Sequence, residues 1–367
     1  MNKVKSEPNL VTYLHRKGRQ LGLPISGNFE LTSRCNFNCP MCYVHSKEND
    51  KNCIKSELTA QQWLNIAKDA KDRGMVFALL TGGEPLIRKD FFDIYYGMQE
   101  MGIVISINTN GSLLKGEILE KFLENPPFRF NISLYGGSND TYRDMCGIGA
   151  YDDVKESIRA LRNAGVEVSL NLSITPYNHH DLERIYNDAK ELDVNVRASS
   201  YMYPSIRVNG DQYGCGNRFL PKEAAEAIVK WDKLRFSEEE FKARAEHLAN
   251  FMQESSDGCP VEVEEGVKCR AGSSSFWMTW DGRMLPCGIM TEPIAYPLET
   301  GFNEAWDSIL KQTADIRTPA KCSACQYKNV CGVCAAVCYT ETGSFDQVPE
   351  FMCNHIIEKI KIMKNNI

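Results

Sequence analysis

The sequence lacks any apolar run long enough to cross a bilayer, and residues 1–20 are too polar and charged for a secretory signal. It also lacks an excess of basic residues, because 42 Lys and Arg residues and 48 Asp and Glu residues give a net charge of −6. A general nucleic-acid binder would concentrate positive charge on one face. We therefore expect a soluble cytoplasmic protein with neither a membrane nor a nucleic acid as its partner.

Cysteine, by contrast, is abundant, with 15 residues in a chain of 367. The number is odd, and disulfides are rare in the reducing cytoplasm, so metal binding accounts for these residues better than a disulfide framework. The length and a hydrophobic content of 43% are sufficient for one large domain and a smaller one.

Three cysteines follow an apolar run in a CxxxCxxC spacing: Cys35, Cys39 and Cys42. Three thiolates make an incomplete metal site. On a [4Fe-4S] cluster they would leave one iron free for an exogenous ligand. A zinc ion would need a fourth ligand, for which His45 is available.

Short β-rich runs alternate with helical patterns along the first 200 residues. The predicted strands are 25–32, 76–81, 103–109, 128–134, 166–173 and 194–200. The predicted helices between them are 59–73, 90–101, 115–123, 152–164 and 180–192. Six such repeats indicate an α/β fold with parallel strands and right-handed crossovers. A partial (β/α)6 TIM-like barrel and an open doubly wound sheet both fit this pattern.

Polar residues alternate along several of these strands. Asn108 and Asn110 share one face of the third strand, Asn131 and Ser133 one face of the fourth, and Asn171 lies on the fifth. On an isolated antiparallel sheet this alternation would mean only a solvated face. In a barrel, the same residues would line a ligand pocket at the C-terminal strand ends.

A Gly-Gly-Glu-Pro sequence at 82–85 ends the second predicted strand. Without Cβ atoms, Gly82 and Gly83 let the backbone approach a ligand closely. The Glu84 carboxylate can accept hydrogen bonds from an ammonium group. In most proteins such a stretch is simply a turn.

The CxxxCxxC motif and the Gly-Gly-Glu-Pro stretch, in this order, resemble those of the radical SAM enzymes. The resemblance implies a partial barrel and S-adenosylmethionine bound to the free iron, with Cys35, Cys39 and Cys42 as catalytic cluster ligands. It assigns cofactor contacts to Met41, Gly82, Gly83, Glu84, Asn108, Ser133, Arg143 and Asn171. Arg143 would pair with the cofactor carboxylate, although an exposed helix arginine would explain it equally well.

The pattern changes after residue 200. We place an N-terminal extension at 1–24, the barrel at 25–200, a substrate loop with bridging helices at 201–258, and a cysteine-rich domain at 259–367. The loop is either a disordered insertion or a substrate-binding segment, and its aromatic residues favour the second. Arg207, Tyr213 and Arg218 are its candidate substrate contacts.

The C-terminal region contains a hairpin signal at Asp281-Gly282, then Cys287, and a CxxCxxxxxC motif beginning at Cys322. This combination resembles the SPASM domain, which carries two auxiliary [4Fe-4S] clusters. A structural zinc ribbon is the alternative. The resemblance assigns Cys322, Cys325, Cys331 and Cys353 to one cluster, and Cys269, Cys287 and Cys334 to the other.

Some cysteines remain open. Cys334 departs by one residue from the usual family spacing, which leaves Cys338 as its rival. Cys259 would complete the nearer auxiliary cluster, unless a substrate thiolate does so. Gly288 replaces the aspartate that sulfatase maturases carry after the residue matching Cys287, which disfavours formylglycine formation. Cys53, Cys146 and Cys215 have no assigned role.

The resemblance implies a SPASM radical SAM enzyme with S-adenosylmethionine and three [4Fe-4S] clusters as cofactors. We expect hydrogen abstraction from a ribosomally made precursor peptide and formation of a thioether or carbon-carbon cross-link. Dehydrogenation or epimerisation of a small molecule or peptide residue is the first alternative, and a non-catalytic metal-binding protein the second. Expected partners are an electron donor such as flavodoxin or ferredoxin and a separate leader-binding protein. Residues 1–20 are expected to be dispensable for peptide binding.

Overall fold

The computed structural model describes residues 10–205, 215–254 and 266–365. In the described part of the chain, the strands are β1 Ser26–Glu30, β2 Arg34–Cys35, β3 Ser46–Lys47, β4 Phe77–Thr81, β5 Val104–Thr109, β6 Arg129–Ser133, β7 Val168–Ser173, β8 Asn195–Ser199, β9 Ser275–Met278 and β10 Met284–Leu285. All six predicted strands are present.

The helices of the described residues are α1 Leu10–Leu21, α2 Lys51–Ser56, α3 Ala60–Asp72, α4 Phe91–Glu100, α5 Gly116–Glu124, α6 Asn139–Cys146, α7 Tyr151–Asn163, α8 Leu182–Glu191, α9 Pro221–Arg235, α10 Glu238–Glu254, α11 Pro297–Thr300, α12 Phe302–Ala314, α13 Ala320–Ser323, α14 Ala335–Thr342 and α15 Glu350–Lys364. The five helices predicted in the barrel are confirmed as α3, α4, α5, α7 and α8. None of the helices described is long and apolar enough to span a membrane.

The main sheet has eight strands in the order β10-β9-β1-β4-β5-β6-β7-β8. From β9 to β8 every neighbouring pair is parallel, and the intervening helices provide the crossovers. This α/β architecture with a mostly parallel sheet confirms the predicted partial barrel. The C-terminal ends of β1 and β4 to β8 therefore lie along one edge of the sheet, where barrel enzymes place their chemistry.

The C-terminal hairpin joins the barrel sheet. β9 and β10 pair antiparallel across the predicted Asp281-Gly282 turn, in which Gly282 has a φ of 89° that favours glycine. β9 then pairs in parallel with β1, a contact between residues about 250 positions apart that no local pattern reveals. Phe29 of β1 consequently packs edge-on between Trp63 of α3 and Phe276 of β9, with ring centroids 5.9 and 5.8 Å away.

These three aromatic side chains are fully buried. Each stabilises the fold by roughly 1.5–3 kcal/mol relative to an exposed position, so they bind the two ends of the chain to one core. The N-terminal helix α1 is also part of this junction, because the carbonyl of Gly22 just after it accepts a hydrogen bond from the Trp306 indole of α12 at 2.8 Å.

Candidate active site

The loop that follows β1 carries the first cysteine group to the C-terminal edge of the sheet. Cys35, Cys39 and Cys42 line one cavity of about 390 Å³, a volume within the usual range of small-molecule sites. The other lining residues predicted to contact the cofactor are Met41, Gly82, Gly83, Asn108, Ser133 and Asn171. The structure thus brings together, in one cavity, residues from five separate parts of the barrel.

A buried ion-pair network holds the start of the cysteine loop. Arg34, immediately before Cys35, donates to both Glu57 carboxylate oxygens, at 2.6 and 3.0 Å. Arg88 reaches the same carboxylate at 3.3 Å and also donates to the carbonyl of Leu31 at 2.9 Å. The Arg88 and Glu57 side chains are only 4% and 8% exposed. Charge-assisted bonds of this kind fix the loop before any metal binds.

Gly82 and Gly83 pack against this loop as well as lining the cavity. A Cβ on either residue would overlap backbone atoms of Thr32 or Arg34. The Gly83 amide donates to the Thr32 carbonyl at 2.7 Å, and Gly82 has a φ of 155°. Close approach to another segment of the chain therefore requires these glycines, in addition to any approach to a ligand.

The Glu84 side chain does not line this cavity. Its carboxylate is fully buried and accepts hydrogen bonds from the amides of Leu86 at 3.0 Å and Asn110 at 2.7 Å, and from the Thr109 hydroxyl at 2.9 Å. These bonds tie the end of β4 to the end of β5. Burial raises the pKa of the Glu84 carboxyl to about 7. These bonds give the carboxylate a structural role, and its predicted contact with a cofactor ammonium group stays a prediction.

Arg143 makes its ion pair within its own helix. It lies on α6, its side chain is 58% exposed, and it pairs with Asp140 three residues earlier on the same helix. It does not line the cavity among the described residues. The alternative that an exposed helix arginine explains this position is the one that the structure supports.

Two of these thiols, Cys35 and Cys39, lie in an environment that disfavours free thiolates. Burial raises the pKa of the Cys35 thiol well above its ordinary value, and the neighbouring Glu84 carboxylate adds to the rise. A hydrogen bond with the Cys146 side chain raises the pKa of the Cys39 thiol, with burial as the second cause. A bound metal must therefore displace protons from these sulfurs. The Asn110 amide lies 3.8 Å from the Cys35 sulfur, at hydrogen-bonding distance for sulfur.

The second cysteine group surrounds another cavity, of about 360 Å³, beside β9 and β10. The cysteines that line it are Cys269, Cys287, Cys322, Cys331, Cys334 and Cys338. Burial raises the pKa of the Cys322 thiol, and the charges of Cys353, Cys331 and Cys325 add to it, which places these four close together. They are the four residues assigned to one auxiliary cluster by resemblance.

Tyr203 lies between the first cavity and the region of the other three auxiliary cysteines. Burial raises the pKa of the Tyr203 phenol, and the charges of Cys334, Cys287 and Cys269 add to the rise. Tyr203 and Cys334 pack against the same small hydrophobic cluster. Tyr203 also lines the cavity of Cys35, Cys39 and Cys42. Cys338 is buried between the two auxiliary sets, and burial followed by the charges of Cys322 and Cys334 raises its pKa to about 12.

The donor set favours clusters over single ions. In the described ranges, no three His, Cys, Asp or Glu side chains converge closely enough to hold one metal ion. A tetrahedral zinc site needs its ligands about 2.3 Å from the metal. Groups of cysteine thiols around one cavity are the ligand sets that iron-sulfur clusters use. The residues present therefore fit [4Fe-4S] groups, with Cys35, Cys39 and Cys42 offering three ligands in the first cavity.

Comparison with known proteins bears on this site directly. Residues 29–189 match the family model described as the Radical SAM superfamily. The chain contains a radical SAM domain. Together with relatives that are themselves enzymes of this type, the match shows that the protein is an enzyme.

The relatives of this radical SAM protein differ in how much of it they cover. An AdoMet-dependent heme synthase of Methanosarcina barkeri (strain Fusaro) is 27% identical over 335 residues, 86% of this chain and 93% of the relative. A probable GTP 3′,8-cyclase of Saccharolobus solfataricus is 34% identical over 167 residues, 45% of this chain and 53% of the relative. The second similarity thus covers about half of each protein.

Solved structures share the fold at low sequence identity. Streptococcus suis SuiB bound to S-adenosylmethionine superposes with a TM-score of 0.65 at 17% identity, over 95% of this chain and 84% of SuiB. The anSMEcpe protein with bound AdoMet also gives 0.65 at 17% identity, over 94% and 96%. The shared fold therefore covers 84% of SuiB and 96% of anSMEcpe.

Arg218, a predicted substrate contact, already has partners within the protein. It forms an ion pair with Glu341 of α14 at 2.5 Å, and its guanidinium lies 3.9 Å from the Phe351 ring centroid. It thus joins the segment after β8 to the C-terminal helices. Arg207, Tyr213 and Cys259 lie outside the described residues, so their roles stay predictions.

Several cavity residues of the radical SAM protein were missed by sequence reasoning. Tyr135 lies two positions beyond Ser133, so extending the alternation past β6 would have found it. Tyr203 and Ile289 come from segments without a periodic pattern, and only the tertiary fold places them in the cavity. Asn110 was recognised as part of the polar alternation of its strand but not as a neighbour of the Cys35 sulfur.

Proposed function

We propose that this enzyme binds S-adenosylmethionine on a [4Fe-4S] cluster held by Cys35, Cys39 and Cys42 and modifies a ribosomally made peptide by hydrogen abstraction, with formation of a thioether or carbon-carbon cross-link. The observation that carries the proposal is the meeting of three thiols with Gly82, Gly83 and polar strand ends in one cavity. The reduced cluster, when bound, supplies one electron that splits the cofactor into methionine and a 5′-deoxyadenosyl radical.

The chain's own residues orient the cofactor and limit its contacts. Asn108, Ser133 and Asn171 offer amide and hydroxyl groups at adjacent strand ends, where they can bond the ribose and the amino acid part. Asn131 donates to Asn108 at 2.9 Å, which fixes the orientation of that amide. The surrounding barrel keeps bulk water away from a reactive radical.

The chemistry of the cavity wall supports a peptide over a carboxylate-rich substrate. Among the described residues, the lining contains no Asp, Glu, Lys, Arg or His. An uncharged side chain or backbone segment can enter such a site without a buried unpaired charge, which would be costly. The shared fold agrees, because SuiB has been solved bound to its precursor peptide SuiA and anSMEcpe with the Cp18Cys peptide.

A second candidate substrate is a tetrapyrrole. It is favoured by the heme synthase relatives, which extend over 84–93% of their own length. Haem-type tetrapyrroles carry propionate carboxylates, and cationic side chains would be needed to pair with them. The described cavity offers none, which is why we rank this candidate below a peptide.

The auxiliary cysteines are proposed to bind two further clusters. We assign Cys322, Cys325, Cys331 and Cys353 to one [4Fe-4S] cluster and Cys269, Cys287 and Cys334 to another, whose fourth ligand is Cys259 or a substrate thiolate. The proximity of Tyr203 to the second set and to the first cavity supports a role for that cluster near the substrate. We further propose a flavodoxin or ferredoxin as electron donor, and a separate leader-binding protein.

The deciding experiment offers both substrates to anaerobically reconstituted, reduced enzyme with S-adenosylmethionine. One is the peptide encoded by any short cysteine-containing reading frame beside this one, and the other an iron tetrapyrrole with propionate groups. Mass spectrometry should detect loss of two hydrogens from the peptide, together with 5′-deoxyadenosine. Decarboxylation of the tetrapyrrole with an unchanged peptide would overturn the peptide assignment.

A further inference from the structure

The N-terminal helix α1 contacts the chain segment that carries Cys269. Arg19, in its last turn, donates from Nη2 to the carbonyl of Lys268 at 3.2 Å and to the carbonyl of Cys269 itself. One turn earlier on the helix, His15 Nδ1 shares a hydrogen bond with Ser274 Oγ at 3.0 Å. The same helix therefore holds both ends of the turn from Cys269 to Ser274.

The turn has a defined backbone that these contacts attach to the barrel. The amides of Ser273, Ser274 and Ser275 all donate to the Arg270 carbonyl, at 3.1, 3.0 and 2.9 Å. The Ser274 carbonyl accepts from the amide of Ser26 at the start of β1, at 3.2 Å. Cys269 lies at the outer end of this turn and is exposed, so core packing does not fix its position.

Burial distinguishes the two contacts of α1. His15 and Ser274 are only 5% and 1% exposed, so their bond is shielded from water. Burial, with the Arg270 charge as the second cause, lowers the pKa of His15 to about 4, which keeps the imidazole neutral at pH 7. Arg19 is exposed but carries a full positive charge to the carbonyl of Cys269, beside the place where a thiolate would bind metal.

We infer that α1 is part of the auxiliary metal site, in which Arg19 and His15 are positioning residues that hold Cys269 in place to ligate iron with Cys287 and Cys334. The inference rests on the proposed assignment of Cys269 as a cluster ligand. Two donor bonds from one guanidinium fix the orientation of successive peptide carbonyls. Its positive charge also stabilises the anionic ligand set and raises the reduction potential of a cluster bound there.

This inference gives residues 10–20 a role that the sequence did not predict. Residues 1–20 were expected to be dispensable for peptide binding, yet 10–20 include nearly all of α1. Removal of residues 1–20 should therefore deplete auxiliary iron, whereas removal of residues 1–9 should leave it intact. The pair of truncations separates α1 from the rest of the N-terminal segment.

The test uses full-length protein with Cys35, Cys39 and Cys42 replaced by Ala, so that only the auxiliary clusters contribute iron and electron paramagnetic resonance signals. In this background Arg19→Ala should lose about half of the iron, one of two clusters, or retain it with a reduction potential shifted to lower values. Arg19→Lys should restore both properties. Arg16→Ala is the matched control, because Arg16 lies on the same helix and its guanidinium lies over the Tyr13 ring instead of bonding the Cys269 turn.

Thermal unfolding of both alanine variants shows whether an effect is merely structural, and the two should melt alike. Iron content and potential in Arg19→Ala equal to those in Arg16→Ala would overturn the inference. Cys269→Ala separates this from failure of the proposed site. If Cys269→Ala keeps all auxiliary iron, the ligand assignment fails. If Cys269→Ala loses iron while Arg19→Ala keeps both its iron and its reduction potential, the ligand assignment stands and the role of α1 is refuted.

Discussion

Cys35, Cys39 and Cys42 lie on one short loop, whereas the auxiliary cysteines extend from Cys269 to Cys353 and come from several separate segments. The first loop is fixed by the buried Arg34, Glu57 and Arg88 side chains. Of the auxiliary cysteines, those described are partly or fully exposed apart from Cys338. A local ion-pair network therefore holds the first cysteine loop, whereas the second site depends on contacts between distant segments of the chain.

The same contrast explains what the sequence could predict. The barrel strands, their helices and the hairpin at Asp281-Gly282 follow from periodicity and turn residues, and the structure confirms them. The polar cavity wall follows from alternation at Asn108, Asn131 and Ser133. Most of the first site could therefore be predicted from local sequence patterns.

Features that depend on distant parts of the chain could not be predicted in this way. The pairing of β9 with β1 and the contact of α1 with the Cys269 turn join opposite ends of the sequence. The orientation of Glu84 depends on backbone amides supplied by the neighbouring strand end. Arg143 is exposed on its helix, and a charged residue in a helical pattern gives no sign of which way it faces.

The largest effect is expected when the first cysteine group is removed and the auxiliary cysteines are kept. Replacing Cys35, Cys39 and Cys42 by Ala should abolish 5′-deoxyadenosine formation and leave auxiliary iron bound, because the two cavities have separate ligands. Chromatography of the nucleoside and iron analysis measure both. Cys53→Ala, in α2, is the control and should behave as wild type. Persistent 5′-deoxyadenosine in the triple variant would contradict the assignment.

Glu57→Ala tests whether the protein itself shapes the first site. Loss of this carboxylate leaves Arg34 and Arg88 buried without their shared partner, which should cost about 3–5 kcal/mol of unfolding free energy. Urea unfolding of metal-free protein measures this cost. Asp72→Ala breaks the exposed pair with Lys68 and should leave stability almost unchanged. Equal effects of the two variants would show that the network does not support the loop.

The pH dependence of stability should reveal Glu84. Its folded-state pKa of about 7 lies above the ordinary value of 4.5, so between these values the folded protein keeps a proton that the unfolded chain has released. Stability should therefore fall by about 3 kcal/mol as the pH rises through this window. Glu84→Gln should remove that part of the slope in urea titrations of metal-free protein. An unchanged slope would refute the burial argument, and exposed Glu117→Gln is the control.

The smallest effect is expected at Arg143. Because its side chain is exposed and pairs with Asp140 on the same helix, Arg143→Ala should change unfolding free energy by less than about 0.5 kcal/mol. Its apparent affinity for S-adenosylmethionine should equal that of wild type. A large loss of cofactor affinity in a binding titration would restore the original assignment of Arg143 to the cofactor.

The most direct test of the central claim is electron-nuclear double resonance on reduced, reconstituted enzyme with S-adenosylmethionine labelled at its amino nitrogen and carboxylate. The account predicts that both labels couple to an iron of the cluster held by Cys35, Cys39 and Cys42. The coupling should vanish in the triple alanine variant and persist in Cys269→Ala. Absence of any coupling in fully iron-loaded wild-type protein would contradict the account.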